Sequence, residues 1–420
     1  MSGGSTPKAE EQEKYYANAA TGIPFVRVQN LTASGILSLD GVKHINHETH
    51  HGLLARSQVK QDDLLVKITG VGRMAVASVP PLGFEGNINQ HIARIRTKDR
   101  ASSEALAAWL NTDIAEALAK RRSTGGTRPA LDYPALRSIP IILDERIERE
   151  MRSAYDTYKL ALDQADKKLA SIDEFVSTEL GISLPPELKN TIANRIFTTQ
   201  RLDIVGWRFD PDMASYSKHT RTSKYSLSKL KQHMLAQPQY GANERGVERL
   251  DKEIPRYVRI TDVSEFGELA DGLGVAAEFS DSKYFLQNED LLFARSGNTV
   301  GKTYLHFDAE NEQYLFAGYM IRFRLNPATL LPTFAFAYTM CRAYKEWCSA
   351  IQRATGQPNI NAMEYKNLLL PIPPLEKQRE IADRMFEIRA QAKQIRTQAR
   401  IELQAAKIHI ENRLLREVIS

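Results

Sequence analysis

The feature that most constrains this chain is a long apolar seam near its middle. Between residues 144 and 180, apolar side chains recur at steps of three and four among charged ones, and neither glycine nor proline interrupts them. The seam consists of Ile147, Met151, Ala154, Tyr158, Leu162, Ala165, Leu169, Ile172 and Val176. A helix of this length extends roughly 55 Å, which is more than one small domain can cover. The seam therefore predicts a long helix that needs a partner.

A second seam of this kind fills the C-terminus. From Leu375 onward the same spacing returns, again without glycine or proline. Its members are Ile381, Met385, Ile388, Ala392, Ile395, Ala399, Leu403, Ala406, Ile410 and Leu414. Because either seam would lie exposed on a lone helix, we predict that the two helices pack on one another. Two separate surface helices are the alternative.

Composition is that of an ordinary globular protein. The 420 residues suffice for two or three domains, and charged residues make up 25% of them. A net charge of +5 permits a polyanionic partner without requiring one. The N-terminus lacks the apolar core of a signal peptide, and Cys341 and Cys348 are the only cysteines, which argues against a disulfide framework. We therefore expect a soluble, cytoplasmic protein.

Short motifs that precede the central seam return after it in the same order. Residues 26–31 are echoed by 258–263, Gly35 by Gly267, 63–65 by 290–292, 70–73 by 297–302, 92–96 by 320–324, and 124–125 by 355–356. Each half then runs into one of the long helices. The sequence therefore predicts an internal repeat with pseudo-two-fold symmetry.

The expected fold class is α+β, with two similar mixed α/β domains separated and joined by two long antiparallel coiled-coil helices. The predicted boundaries are 1–142 for the first domain, 143–182 for the central helix, 183–373 for the second domain and 374–420 for the C-terminal helix. Residues 200–232 have no counterpart ahead of residue 1. We therefore expect the first domain to lack an upstream segment that the second possesses.

Several motifs resemble the specificity subunit of Type I restriction-modification systems. They are the opening GGSTPK at 3–8, the Asp-Leu-Leu strand entries at 63–65 and 290–292, the loop TGQPNI at 355–360 and, above all, LPIPPLEKQ at 370–378, which leads into the C-terminal helix. In the first half the last motif is reduced to IPIILDER at 139–146, although the helix still follows.

The resemblance implies a non-catalytic subunit with two target recognition domains, each reading one half of a bipartite double-stranded DNA target. It implies that the long helices fix the spacing of the half-sites and dock two methyltransferase subunits, which restriction subunits join. No cofactor or metal is expected. The chain lacks N-P-P-Y, D-P-P-Y and a G-x-G-x-x-G after a strand, in keeping with catalysis supplied by partners.

Two pairs of loops carry the candidate DNA contacts. The turns at 70–73 and 297–302 end in Arg73 and Lys302, and a cation at the tip of a turn suits a phosphate. The loops at 125–128 and 356–359 carry side chains that pair with base edges in the major groove, namely Arg128, Gln357 and Asn359. A connection in which glycine merely permits the turn is the alternative. The candidate set also includes Lys67, Thr69, Asn87, Asn89, His91, Thr127, Arg295, Ser296, Asn298 and Thr299.

Two motifs suggest other chemistry. His47 and His51 with Glu48 match H-E-x-x-H, a zinc-peptidase pattern, but Gly52 leaves barely one helical turn. A polar surface turn is the favoured interpretation. Residues 297–303 (GNTVGKT) miss the P-loop spacing by one residue and precede a strand-like stretch, so a hairpin turn is favoured there.

Two other functions stay open. In the first, the chain is a protein-binding coiled-coil adaptor, and in the second it is a zinc hydrolase at His47 and His51. Salt-sensitive, sequence-selective DNA binding distinguishes a specificity subunit from the adaptor. Stoichiometric zinc in the purified protein tests the hydrolase.

Overall fold

The computed structural model describes residues 1–7, 12–18, 21–39, 41–126, 128–141, 145–184, 198, 213, 216, 223–309, 312–352 and 358–419. The chain folds into two compact units, Met1–Ala165 together with Lys393–Ser420, and Asp166–Ala392. Both boundaries between the units fall inside long helices. The domain boundaries at residues 142, 182 and 373 stay a prediction.

The first unit contains short strands and helices followed by the start of a long helix. Its strands are β1 (Ser2–Gly3), β2 (Tyr16–Ala17), β3 (Ile23–Val26), β4 (Lys43–Ile45), β5 (Gln58–Lys60), β6 (Leu64–Lys67), β7 (Ala77–Ser78), β8 (Glu85–Ile88) and β9 (Ile92–Ile95). Its helices are α1 (Gln12–Tyr15), α2 (His47–His51), α3 (Arg100–Leu110), α4 (Asp113–Arg122), α5 (Tyr133–Arg137) and α6 (Glu145–Leu180), which continues into the second unit.

Two sheets organise this unit. One has the antiparallel order β1-β9-β6-β7, and the other has the order β2-β4-β3-β8-β5 with β3 and β8 parallel. Strand β6 lies inside its sheet and is buried along its whole length, which explains the apolar run at 64–66. Polar caps start the helices behind it, because the side chains of Asp99 and Thr112 accept bonds from the amides of Ser102 and Ala115.

The second unit contains the remaining elements. Its strands are β10 (Leu227–Lys229), β11 (Gln239–Tyr240), β12 (Gly246–Glu248), β13 (Arg256–Val258), β14 (Val275–Ala277), β15 (Leu291–Ala294), β16 (Thr303–Leu305), β17 (Tyr314–Phe316), β18 (Met320–Phe323) and β19 (Leu369–Pro371). Its helices are α7 (Pro332–Thr339), α8 (Arg342–Ile351), α9 (Ala362–Lys366) and α10 (Leu375–Ile419), which continues into the first unit.

The main sheet of the second unit has the antiparallel order β11-β18-β15-β16. Three two-stranded sheets accompany it, β10 with β19, β12 with β14, and the parallel pair β13 and β17. The edge strand is followed by glycine in both units. A side chain at Gly4 would run into the Ile88 and Asn89 carbonyl oxygens, and one at Gly241 into those of Phe316 and Ala317. Only glycine lets the chain pass so close to its neighbour.

The aspartate of each Asp-Leu-Leu entry is buried and structural. Asp290 accepts bonds from the Gln287 amide at 2.9 Å and from Arg324 Nε at 2.8 Å, and Arg322 Nη1 lies 3.3 Å away. Asp63 accepts the Lys60 amide at 2.9 Å. Both carboxylates therefore close the turn ahead of a central strand and are compensated by hydrogen bonds.

The long helices contact one another within each unit. In the first unit Met151 of α6 and Leu403 and Ile410 of α10 join one core cluster, and Arg413 Nη1 lies 2.9 Å from Glu150 Oε1. Tyr155, which the predicted seam left out, is 2% exposed in this core.

In the second unit Lys377 Nζ lies 2.6 Å from Glu179 Oε2, so α6 and α10 also meet there. The predicted contact between the two helices is present in each unit. The expected mixed α/β class with two domains and a long C-terminal helix is confirmed. None of the described helices is long and apolar enough to cross a bilayer.

Candidate nucleic-acid interface

The two predicted loop types lie side by side in both units. In the first unit the Gly70 amide donates to the Pro129 carbonyl at 3.1 Å and the Leu131 amide to that of Ile68 at 2.7 Å. In the second the Gly297 amide donates to the Pro358 carbonyl at 3.0 Å and the Ile360 amide to that of Arg295 at 2.8 Å. Thr69 therefore faces Ala130, and Ser296 faces Asn359, across isolated bridges. Loops from distant parts of the sequence form one surface in each unit.

In the second unit this surface carries an arginine stacked on a tyrosine. The Arg295 guanidinium carbon lies 4.9 Å from the ring centroid of Tyr240. The Tyr240 hydroxyl accepts the Ala362 amide at 3.2 Å, and the Tyr319 carbonyl accepts the Arg295 amide at 2.9 Å. Tyr319 is 62% exposed and Asn359 is exposed. We call Tyr240, Arg295, Ser296, Tyr319 and Asn359 the Tyr–Arg edge.

Thr299 and Asn298 lie in the short 3₁₀ turn Gly297–Thr299 beside this edge. The Thr299 hydroxyl donates to the Ser296 carbonyl at 3.4 Å. The turn leads through a hairpin into β16, because β15 and β16 pair antiparallel. The hairpin interpretation of GNTVGKT is therefore confirmed.

The corresponding surface of the first unit is built differently. The Thr69 hydroxyl and His91 Nδ1 lie 2.5 Å apart, and the His91 amide donates to Asn89 Oδ1 at 3.2 Å. Arg128 is exposed on the glycine loop, where Gly125 has a φ of +92°. Asn89 is only 8% exposed. Thr69, His91 and Arg128 are thus the candidates that this unit presents at its surface.

The two turn cations do not stand at turn tips. Arg73 Nη1 lies 2.8 Å from Asp113 and 2.9 Å from Glu116, and its Nη2 donates to the carbonyls of Asn111 and Thr112. Lys302 Nζ lies 2.8 Å from Glu265 Oε1, and its side chain is only 17% exposed. The prediction that Arg73 and Lys302 stand as cations at turn tips is corrected. Carboxylates and carbonyls of the same unit already pair with both side chains.

Two further candidates lie inside the first unit. Asn87 is fully buried, where its amide contacts His50 Nδ1 at 2.5 Å and donates to the Leu54 carbonyl and the Ser57 hydroxyl. Lys67 is 6% exposed and donates to the Val71 carbonyl at 2.6 Å, and burial lowers the pKa of its amine. The sequence prediction that they contact DNA is corrected, since both side chains are engaged in the interior.

Two candidates, Thr127 and Gln357, lie outside the described residues, and for Asn298 the description covers the backbone alone. The H-E-x-x-H stretch forms the short helix α2, capped by Asn46, with the imidazole rings of His47 and His51 6.3 Å apart. Across the part of the chain that the structure describes, three or more His, Cys, Asp or Glu side chains nowhere gather as metal ligands would.

Sequence reasoning missed Tyr240 and Tyr319. The predicted repeat offered a signal, since β1 pairs Gly3 with Ala93 as β11 pairs Tyr240 with Ile321. Gly3 and Tyr240 therefore hold matching places on the two edge strands. A tyrosine at this position in one half and a glycine in the other indicates that the position has a different role in each half.

Residues 243–405 match the family model of the Type I restriction modification DNA specificity domain. A search of the curated proteins finds no match. Among solved structures the chain is similar to the HsdS subunit from Thermoanaerobacter tengcongensis, with 13% identity over 98% of this chain and 93% of that chain at a TM-score of 0.33. It is also similar to the Type-I restriction-modification S subunit from M. genitalium, with 12% identity over 97% and 91% at a TM-score of 0.39.

Proposed function

We propose that this chain serves a Type I restriction-modification system as the subunit that recognises the DNA sequence, because residues 243–405 match the family model of its DNA specificity domain. The family match carries this proposal. The matched range contains Arg295, Tyr319 and Asn359 of the Tyr–Arg edge. An arginine fork and a carboxamide are the side chains that read base edges in the major groove.

The proposal includes two reading domains, one for each half of a bipartite target. The shared strand order of the two main sheets and the recurring bonds between their paired loops support an internal repeat. The contacts of Glu150 with Arg413 and of Glu179 with Lys377 support an antiparallel coiled coil of α6 and α10. The pseudo-two-fold arrangement and the fixed half-site spacing are part of the same proposal.

Partner subunits supply catalysis in this proposal. In the first unit α6 and α10 leave a mostly apolar groove of about 550 Å³ between them, lined by Ala154, Tyr158, Ala399, Leu403, Ala405, Ala406 and Ile410 together with Glu150, Ser153, Thr157, Glu402 and His409. Such a groove suits the apolar face of an amphipathic helix from a methyltransferase subunit. Two methyltransferase subunits and the restriction subunits would then assemble on this chain in the cytoplasm.

The test is to co-express the chain with the methyltransferase gene that neighbours it and to map methylated adenines across the host DNA by single-molecule sequencing. We expect one motif with two defined halves and a fixed gap. A stable complex that methylates without sequence preference would contradict the proposal. Failure of the pair to associate, together with DNA binding that ignores salt, would favour the adaptor.

A further inference from the structure

We propose that Arg295 reads a guanine in the half-site of the second unit and that Tyr240 holds its guanidinium in the reading position. This inference rests on the proposed function and assigns it a specificity-determining residue and a positioning residue. It follows from the partners of Arg295, from the support behind Tyr240 and from the residues that occupy the matching positions of the first unit.

Arg295 differs from the arginines beside it in the sheet. Arg322 on β18 and Arg324, just after it, share the buried carboxylate of Asp290. Arg295 follows β15, is half-buried, and its Nε atom has no hydrogen-bond partner among the described residues. No described carboxylate forms an ion pair with it. A half-buried guanidinium that keeps unmet donors is costly, and a bound acceptor removes that cost.

Tyr240 is itself fixed in place. Its backbone pairs with Ile321 of β18, and Gly241 next to it passes against the carbonyl oxygens of Phe316 and Ala317. Its hydroxyl accepts the Ala362 amide at 3.2 Å. The ring is therefore a rigid platform, and a guanidinium stacked on an aromatic face loses little freedom when it binds.

The rest of the edge indicates a base as the ligand. The planar fork of arginine matches guanine O6 and N7 bidentately in the major groove. The backbones of Asn359 and Tyr319 neighbour Arg295 and Ser296, and both residues are exposed, Tyr319 to 62%. A phosphate accepts the same fork, so the experiment below separates the two acceptors by their dependence on sequence.

The first unit provides an internal comparison. In the first unit the Ile68 carbonyl accepts the Leu131 amide, and in the second the Arg295 carbonyl accepts the Ile360 amide. Ile68 therefore holds the position that matches Arg295. Gly3 holds the position of Tyr240. The stacked pair is thus particular to the second unit, and its loss should relax one half-site and leave the other intact.

The experiment measures methylation by the complete complex on a library of DNA targets in which every base of both half-sites varies. Arg295→Lys keeps the positive charge and removes the planar guanidinium that can form two parallel hydrogen bonds. We expect discrimination at one G·C pair to fall roughly 10- to 100-fold, with the other half-site unchanged. Tyr240→Leu should weaken discrimination at the same pair, whereas Tyr240→Phe keeps the ring and should keep most of it.

Arg245→Lys is the matched control, because Arg245 is an exposed arginine of the same unit outside the edge. Thermal unfolding of each variant shows whether it folds. A uniform loss on all sequences with a shallower salt dependence would identify a phosphate contact and overturn the guanine assignment. Unchanged discrimination in a folded Arg295→Lys complex would overturn it as well. If the unaltered protein selects no motif, the proposed function fails instead.

Discussion

At the scale of single residues, the structure places a lysine in the core of the first unit. Lys407 of α10 is 5% exposed, its Nζ donates to the Ala33 carbonyl at 2.5 Å and lies 5.9 Å from the centroid of the Tyr155 ring. Burial lowers the pKa of this amine from its ordinary 10.5 to about 8, and nearby Arg73 acts in the same direction while Glu411 and Asp113 oppose it.

Because of this lowered pKa, the contribution of Lys407 to stability varies with pH in the alkaline range. Between pH 8 and 10.5 the unfolded lysine keeps its proton and the folded one has lost it, so the unfolded state binds more protons. We expect the contribution of Lys407 to stability to rise with pH across this window by up to roughly 3 kcal/mol, because below pH 8 the folded state holds a charged, buried amine. The thiols of Cys341 and Cys348, whose pKa burial raises to about 12, act in the opposite direction above pH 9.

Thermal unfolding of the full chain between pH 7 and 10.5 measures this dependence. The stability of the unaltered chain relative to Lys407→Met should rise with pH across this window, while its stability relative to Lys393→Met, at an exposed position of the same helix, should stay constant. A difference between the unaltered chain and Lys407→Met that does not change with pH would contradict the role of this amine.

The residue scale also explains the two Asp-Leu-Leu motifs. Both aspartates were visible in the sequence as entries to strands, yet the sequence carries no sign that they are buried. Asp290 forms ion pairs with Arg322 of β18 and with Arg324, which follows that strand. The pairing depends on β15 and β18 lying side by side, and only the folded sheet provides that neighbour.

At the scale of elements, a carboxylate on a long helix accepts a hydrogen bond from an amide at the start of a shorter helix in each unit. Asp173 Oδ1 of α6 accepts the Arg342 amide at the start of α8 at 2.5 Å. Glu411 Oε1 of α10 accepts the Asp113 amide at the start of α4 at 2.5 Å. A carboxylate at a helix N-terminus satisfies an amide that the helix itself leaves unpaired and interacts favourably with the helix dipole.

Asp173→Asn should therefore destabilise the second unit by about 1 kcal/mol, since the charge that meets the start of α8 is lost. Glu174→Gln is the control, because Glu174 is exposed on the same helix. Denaturant unfolding followed by the fluorescence of Trp347 in α8, with Trp109 and Trp207 replaced by Phe in every variant, reports on this contact. Equal stability of the two variants would show that the contact contributes nothing.

At the scale of the whole molecule, the proposed function makes the length of α6 a determinant of DNA spacing. Inserting four residues into the middle of α6 should change the gap that the complex accepts and leave both half-sites readable, because readers held by helices accept one separation and one rotational phase. Methylation mapping on targets with varied gaps measures this.

The same four residues inserted after Leu82 serve as the control, since Leu82 is 75% exposed in a turn of the first unit. That insertion should leave the gap unchanged. A gap that stays constant when α6 is lengthened would contradict the spacing role of the helix.

The sequence by itself determined the parts of this protein that depend on local patterns. Apolar residues at helical spacing predicted α6 and α10, and glycines predicted the turns, because periodicity and φ preferences act over a few residues. The repeated motifs also predicted which loops correspond. Their resemblance to a known family indicated DNA recognition, and the family match at 243–405 agrees with it.

Only the tertiary structure decided which side chains stay at the surface. Arg73 is held by Asp113 and Glu116, and Asn87 of β8 lies in the interior, although the sequence offered both as DNA contacts. Tyr240 and Arg295 became a pair because β11 and β15 both border β18. Burial and partners depend on residues distant in the chain, and a local pattern carries no record of them.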